Sequence, residues 1–391
     1  MFAKRTEWDL RPNRLAEKLA ELRGRGEEIF DLTESNPTRI GLRYPEGLLK
    51  ELADPRSLVY EPDPRGLLPA RRTVAGLFAA KGARVDPDQI FLTASTSEAY
   101  GMLFRLLGDP GDQILIPRPS YPLFGYLAAL NDLETVSYPL RLGREGRWRI
   151  DLQKLRGTLT ARTRALVVVH PNNPTGSCVT EKERVELLAL CAERGIALIS
   201  DEVFAETLDP AAGRVPATLL SEGGGLVFAL GGLSKWMALP QMKLGWIACA
   251  GPAAEVSAAL ARLEVIADTA LSVNTPVQHA FPRWAAEGLG IQEQIRKRVR
   301  ENREWLGKAL PSGVRLLAAD GGWNAVLEIP DAKEEESWAL GLLERHRVLI
   351  HPGYFYDFEQ EGVAVLSLLL PAARFQEGAR RLLAGSATIE A

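Results

Sequence analysis

Apolar positions along this chain keep two different rhythms, and the change between them divides it. Leu15, Leu19 and Leu22 recur at helical spacing within 13–22, so an amphipathic helix is predicted near the start. Two segments rich in capping and turn residues follow, Asp31-Leu-Thr-Glu-Ser-Asn-Pro-Thr38 and Glu61-Pro-Asp-Pro-Arg-Gly66, and both read as loops. From about residue 67, helix-like stretches alternate with short apolar runs at 90–93, 113–117, 165–170, 196–200, 226–231 and 246–250. Most of these runs lack polar alternation, as strands buried on both faces do, and most are spaced widely enough for a crossover helix. The pattern predicts an α/β architecture, a mainly parallel sheet flanked by helices.

After residue 251 the rhythm changes. Long helical patterns run over 253–270 and 288–310, and short strand candidates stand at 325–329, 348–351 and 363–370. This predicts a linking helix and a smaller α+β domain. The expected division is a large domain over 46–285 and a small domain built from 286–391 with an N-terminal arm, 1–45. A length of 391 residues agrees with two domains rather than one core.

Composition narrows the function classes. The chain is 46% hydrophobic and 25% charged with net charge −3, an ordinary globular balance that gives no bulk attraction to nucleic acid. No run of about 18 apolar residues predicts a membrane span, and the charged first 19 residues carry no secretory signal pattern. Cys178, Cys191 and Cys249 are scattered and odd in number, so neither a disulfide framework nor a metal spacing is expected, and a reducing cytoplasm fits. His170, His279, His346 and His351 do not cluster in sequence, and no metal site is expected.

Ligands of open parallel sheets sit beyond the carboxyl ends of the strands. The residues that follow each run are therefore the candidates. They are Ala94-Ser-Thr-Ser-Glu98, Arg118-Pro-Ser-Tyr-Pro-Leu-Phe124, Pro171-Asn-Asn-Pro-Thr-Gly176, Asp201-Glu-Val-Phe204 and Gly232-Leu-Ser-Lys235. One edge would then gather a hydroxyl-rich helix start, an aromatic, an amide, a carboxylate and a lysine. Each also has a plain structural reading. Ser95-x-x-Glu98 is a capping box, Tyr121 a packed turn aromatic, Asn172-Asn-Pro-Thr-Gly176 turn chemistry, Asp201 a cap and Lys235 a surface lysine. The plain reading is strong for each alone and weak for all of them together in this order.

Asn-Asn-Pro-Thr-Gly, then Ser-Asp-Glu-Val-Phe, then Gly-Leu-Ser-Lys resembles the class I/II aminotransferases, enzymes of the fold-type I pyridoxal-phosphate group, from about Asp31 to about Leu383. The resemblance implies a Schiff base between Lys235 and pyridoxal 5′-phosphate, with Lys235 then moving the substrate's Cα proton. It implies that Asp201 pairs with the pyridinium nitrogen, Asn173 donates to the ring oxygen, and Tyr121 stacks on the ring. Ser95, Thr96, Ser97, Ser234 and Lys243 would hold the phosphate, with Tyr60 reaching it from the second subunit of a homodimer with shared sites. Pro352-Gly353 would border the pocket. The activity implied is movement of an amino group between an amino acid or amine and a keto acid.

Several positions depart from the family's pattern. Lys243 stands where an arginine fork on the phosphate is usual, Phe204 where a tyrosine donates to the ring oxygen, and Gly232 where serine is common. Val365, before Leu366-Ser367, occupies the place of the arginine that usually meets the substrate carboxylate. Asn36 and Arg39, with Arg374 behind, are then the substrate-side candidates, against the plain reading of the arginines as solvated surface residues. Trp323 and Tyr354 are further candidates for the pocket wall, and Tyr354-Phe355-Tyr356 would suit an apolar or aromatic side chain. The rival activities are other reactions on the same scaffold, such as β-elimination, decarboxylation or racemisation. A DNA-binding regulator lacks room for a helix-turn-helix before the match, and a nucleotide-binding enzyme lacks Gly-x-Gly-x-x-Gly and Walker-type loops.

Overall fold

Alternate residues of the central apolar runs feed two different cores, which is why those runs read without polar alternation. The computed structural model describes residues 1–143, 145–208, 215–221, 223–330, 332 and 334–387. In chain order its strands are β1 (Phe30–Asp31), β2 (Ile90–Thr93), β3 (Gln113–Arg118), β4 (Glu134–Leu142), β5 (Trp148–Ile150), β6 (Thr163–Val169), β7 (Ala197–Asp201), β8 (Val227–Gly232), β9 (Gly245–Ala250), β10 (Arg315–Leu316), β11 (Asn324–Glu328), β12 (Val348–Leu349), β13 (His351–Pro352) and β14 (Val363–Ser367). On β6, Ala165, Val167 and Val169 pack with Phe91, Tyr100 and Phe228 on one face of the large sheet. Leu166 and Val168, between them, pack with Leu198, Ala229 and Leu115 on the other.

The large sheet has eight strands in the order β2-β9-β8-β7-β6-β3-β4-β5. The pairs β3–β4, β3–β6, β6–β7 and β7–β8 are parallel. β9 is antiparallel to both β8 and β2, so β2 runs in the same direction as β8. The carboxyl ends of β2, β3, β6, β7 and β8 therefore share one edge, the geometry the functional argument requires. The sheet is mixed, because β9 and the edge strand β5 run the other way.

Within the large sheet, the edge strand β5 and its neighbour β4 escaped the sequence pattern. β4 lies toward one side of the sheet and buries few of its residues, so its apolar content is diluted, and β5 is three residues long. The helix Thr275–Glu287 also went unpredicted, while Ala253–Asp268, Leu289–Ala309 and Arg14–Gly24 fall where helical spacing put them. The predicted run 348–351 is divided between β12 and β13, which join different sheets.

The second sheet is antiparallel, in the order β10-β11-β14-β13. The N-terminal β1 pairs in parallel with β12, and Leu15, Leu22, Phe30 and Leu32 pack into one cluster with Ala325, Leu327, Ala364 and Leu366. The opposite face of this sheet, with Val326, Val363 and Val365, packs into the cluster that also holds residues of the large sheet. The smaller sheet thus turns alternate residues of β11 and β14 toward the large one.

Candidate active site

The site begins with the turn after β2. Ser95 caps the Thr96–Leu107 helix, its hydroxyl accepting from Glu98 N at 3.2 Å, and the Glu98 carboxylate accepts from Ala94 N and the Ser272 hydroxyl at 2.6 and 2.7 Å. Ser95, Thr96 and Ser97 remain partly open to solvent at this helix start, where first-turn N–H groups have no partner within the helix. Gly245 on β9 lies opposite Thr93. A Cβ there would stand 3.0 Å from the Thr93 hydroxyl and 3.1 Å from the Ser95 carbonyl carbon, so glycine is what lets β9 close on this turn.

Asp201 ends β7 and is buried. Its Oδ2 accepts from the Tyr100 phenol at 3.0 Å and its Oδ1 from Val203 N at 3.1 Å. Burial pushes the carboxyl up to about 6, while those two donors and the Lys235 charge oppose the rise. Tyr100 comes from the Thr96–Leu107 helix and is itself buried, with its ring edge-on to Phe124 at 5.2 Å.

Lys235 lies on the short helix Leu233–Trp236 that follows β8, the strand beside β7. Its Nζ is 4.8 Å from the Trp323 ring centroid and 5.6 Å from that of Phe204, and these two rings meet edge to face at 4.9 Å. Among the described residues the ammonium has no hydrogen-bond partner. Desolvation brings it down to about 8, with Asp201 pulling the other way.

The turn after β6 is held by its own amides. Asn172 Oδ1 accepts from the Thr175 N–H and hydroxyl at 3.2 and 2.8 Å, and Gly176 N donates to Asn172 O at 2.8 Å. Asn173, next in the chain, points its Oδ1 to Asn324 Nδ2 of β11 at 2.7 Å. Lys235, Asp201, Asn173, Trp323 and Phe204 are therefore linked through direct contacts or adjacent strand ends.

The remaining sequence candidates are placed as follows. Tyr121 follows β3 and is 46% exposed; next to it, Ser120 N donates to Tyr356 O at 3.0 Å. Burial, with a further push from Tyr121, raises the Tyr356 phenol to about 12, and its hydroxyl meets His351 Nδ1 at 3.1 Å. Ser234 is partly buried and Lys243 exposed. Tyr354 is 41% exposed, with its N–H donated to Glu335. Tyr60 is 78% exposed and lines a surface cavity with Glu98, Ser272 and Asn274, which Lys235 does not border.

Of the substrate-side candidates Trp323 stands beside the lysine, and among the described residues no hydrogen bond joins Asn36, Arg39 or Arg374 to it. Asn36 Oδ1 is occupied by the Thr38 N–H and hydroxyl. Arg39 and Arg374 line a cavity of about 380 Å³ with Asp31 and Glu34, and neither Lys235, Asp201 nor Asn173 borders it. The Arg374 guanidinium is engaged by Glu28 and the Ile29 carbonyl. Val365 is buried on β14 opposite Val326. Two contacts went unseen in the sequence, Tyr100 on Asp201 and Asn324 on Asn173. Neither residue belongs to a strand-end motif. The only local signal was that Tyr100 shares the helix that Ser95 caps.

The model of the family described as aminotransferase class I and II matches residues 32–367. Alanine aminotransferase of Mycobacterium tuberculosis (strain H37Rv) is 30% identical over 356 residues, which cover 90% of this chain and 78% of that protein. Glutamate-pyruvate aminotransferase AlaA of Escherichia coli K12 is 27% identical over 347 residues, 85% of this chain and 84% of its own length. Among solved structures, alanine aminotransferase from Pyrococcus furiosus superposes with a TM-score of 0.89 at 24% identity, all of each chain being covered. An aminotransferase from Escherichia coli gives 0.87 at 23% identity, over 99% of this chain and 98% of that one. These structural likenesses concern the fold.

Proposed function

The chain belongs to the class I and II aminotransferases, and from that premise we propose that amino-group transfer is centred on Lys235, with pyridoxal 5′-phosphate held between Lys235, Asp201 and the Ser95 helix start. The observation that carries this reading is the Lys235 amine itself. It is shielded by Trp323 and Phe204, lacks a hydrogen-bond partner among the described residues, and is eased to about 8, so that a usable neutral fraction exists near neutral pH.

The residues fit the cofactor. A buried carboxylate with two donors, Asp201, stands at the neighbouring strand end, and a helix start with three hydroxyls offers backbone N–H groups to a phosphate. When bound, pyridoxal phosphate supplies the electron sink for the substrate's Cα. Asp201 would hold its negative charge toward a ring nitrogen. Asn173 would offer an N–H to a ring oxygen, and Tyr121 would cover a ring face. Ser95, Thr96, Ser97, Ser234 and Lys243 would hold the phosphate, and Lys235 would remove and return the Cα proton. Trp323 and Phe204 keep water from the amine, which protects its lowered proton affinity.

The donor is an amino acid and the acceptor a 2-oxo acid. The relatives' names make glutamate as donor with pyruvate as acceptor, a transfer that yields alanine, the first pair to test. The protein works as a homodimer, for which the exposed Leu58, Val59, Tyr60, Tyr126 and Leu130 supply apolar surface and Tyr60 a reach to the partner's phosphate. Three buried free cysteines accord with a cytoplasmic enzyme, and no helix among the described residues is long and apolar enough to cross a membrane.

The test is borohydride reduction of the purified protein followed by peptide mass mapping, together with a donor screen that follows the cofactor's absorbance. A stable adduct on Lys235 and conversion of the cofactor to its pyridoxamine form are expected. An adduct on another lysine would overturn the assignment, and release of the amino group as ammonia would overturn the transfer reaction.

A further inference from the structure

Asn173 is the amide assigned above to a ring oxygen of the cofactor, and the structure supplies a reason why its N–H end should be the one presented. The two ends of an asparagine amide are almost identical in shape, so sterics alone do not choose between them; the hydrogen-bond network does. Here Asn173 Oδ1 accepts from Asn324 Nδ2 at 2.7 Å. Among the described residues Asn173 Nδ2 has no partner, and the side chain is only partly buried. With Asn324 as it stands, turning the Asn173 amide alone would set two N–H2 groups against each other and aim an acceptor at the ring oxygen.

Asn324 is well fixed for this task. It opens β11, and by strand alternation shares a face with Val326, which packs with the large sheet's residues. The loop that leads into β11 is bonded to the turn that carries Asn173, with Asp320 N and Gly321 N both donating to the Gly176 carbonyl at 2.8 and 3.0 Å. The approach is so close that a Cβ on Gly176 would stand 2.3 Å from the Gly321 oxygen. Two backbone bonds and one side-chain bond thus fasten the small sheet's Asn324 to the large sheet's Asn173. Phe204, near Lys235, has no hydroxyl with which to share the donation.

We propose that Asn324 is a positioning residue that locks the Asn173 amide with its N–H2 end toward the ring oxygen of pyridoxal phosphate. This rests on the cofactor reading above. It acts through Asn173, so its effect is on the cofactor's proton affinity. A donor at an anionic ring oxygen stabilises that anion and weakens its hold on the neighbouring proton.

The experiment is an absorbance titration of the holoenzyme's cofactor band in wild type, Asn324→Leu, Asn173→Ala and the double variant. Leucine keeps the branched shape at somewhat greater bulk and removes the donor. Asn324→Leu should raise the titration midpoint by about one pH unit, a tenfold shift in proton affinity. In the Asn173→Ala background the same change should do nothing, because the lever is gone. An unmoved midpoint in Asn324→Leu, or an equal shift in both backgrounds, overturns the positioning role while leaving the cofactor site intact. A wild-type protein with no titrating band on Lys235 overturns the cofactor reading and this inference with it. Should Asn324→Leu fold poorly, Asn324→Ala removes the donor at smaller size, and a midpoint above that of wild type, with no further shift in the Asn173→Ala background, is expected; a midpoint equal to that of wild type overturns the proposal.

Discussion

Tyr100 donates its phenol to Asp201 at 3.0 Å, joining the helix that Ser95 caps to the carboxyl end of β7. The bond works against burial, which raises the Asp201 carboxyl to about 6. Tyr100→Phe removes one of two donors from a buried carboxylate, a bond of about 1.5–3 kcal/mol. Asp201 should then hold its proton more tightly and pair less well with a cationic ring nitrogen. Cofactor affinity, read by equilibrium dialysis, should fall roughly tenfold near pH 7, with a smaller loss at alkaline pH, where the carboxylate is ionised regardless. Unchanged affinity would show that the bond has no bearing on the cofactor.

Lys235 carries a stability cost that can be measured without cofactor. Its folded value of about 8 lies below the ordinary 10.5, so between those values the unfolded chain holds a proton that the folded chain does not. Unfolding free energy attributable to this group therefore rises with pH across that window, and below pH 8 the folded state bears the whole penalty. Lys235→Met should stabilise the cofactor-free protein near pH 7 by about 2 kcal/mol, somewhat under the ~3 kcal/mol that the full shift implies, since the contacts with Trp323 and Phe204 are lost in part. Denaturant midpoints of the two proteins at pH 7 and pH 10 measure this. The gap should narrow at the higher pH.

The fold was legible wherever burial on both sides left an uninterrupted apolar run, as on β6, where Val167 and Val168 face opposite cores. It was illegible at the sheet's margin, where Glu134, Ser137 and Arg141 of β4 dilute the signal. The placement of Lys235, Asp201 and Asn173 at neighbouring strand ends could be read from the chain, because a parallel sheet gathers its strand ends and each end carries a compact motif. Tyr100 and Asn324 could not. Each acts on such a residue from an element remote in sequence, a helix turn 101 positions away from Asp201 and a strand 151 positions away from Asn173. No local pattern encodes such pairings.

Arg39 was a reasonable substitute for an arginine at Val365 on sequence grounds, but its cavity is bordered by Asp31, Glu34 and Arg374 rather than by the lysine. Arg39→Ala should leave KM and kcat for any amino donor within about twofold of wild type, as exposed substitutions usually do. A steady-state comparison with alanine and glutamate as donors decides this, and a large rise in KM without loss of kcat would return Arg39 to the substrate.

Phe204→Tyr is the sharpest probe of the site's departure from the family's usual tyrosine. The Phe204 ring is buried and lies 5.6 Å from Lys235 Nζ, so a hydroxyl added at its far end must find a partner or remain unsatisfied. In the cofactor-free protein that costs about 1–2 kcal/mol and lowers Tm. On the proposed cofactor reading, the hydroxyl would gain the cofactor's ring oxygen as an acceptor, beside the N–H of Asn173. A second donor weakens that oxygen's hold on the neighbouring proton, so the absorbance titration midpoint of Phe204→Tyr should lie below that of wild type by up to about one pH unit. The two readouts oppose each other by design: cofactor should restore the stability that the substitution removes. A midpoint equal to or above that of wild type would mean that position 204 does not face the ring oxygen.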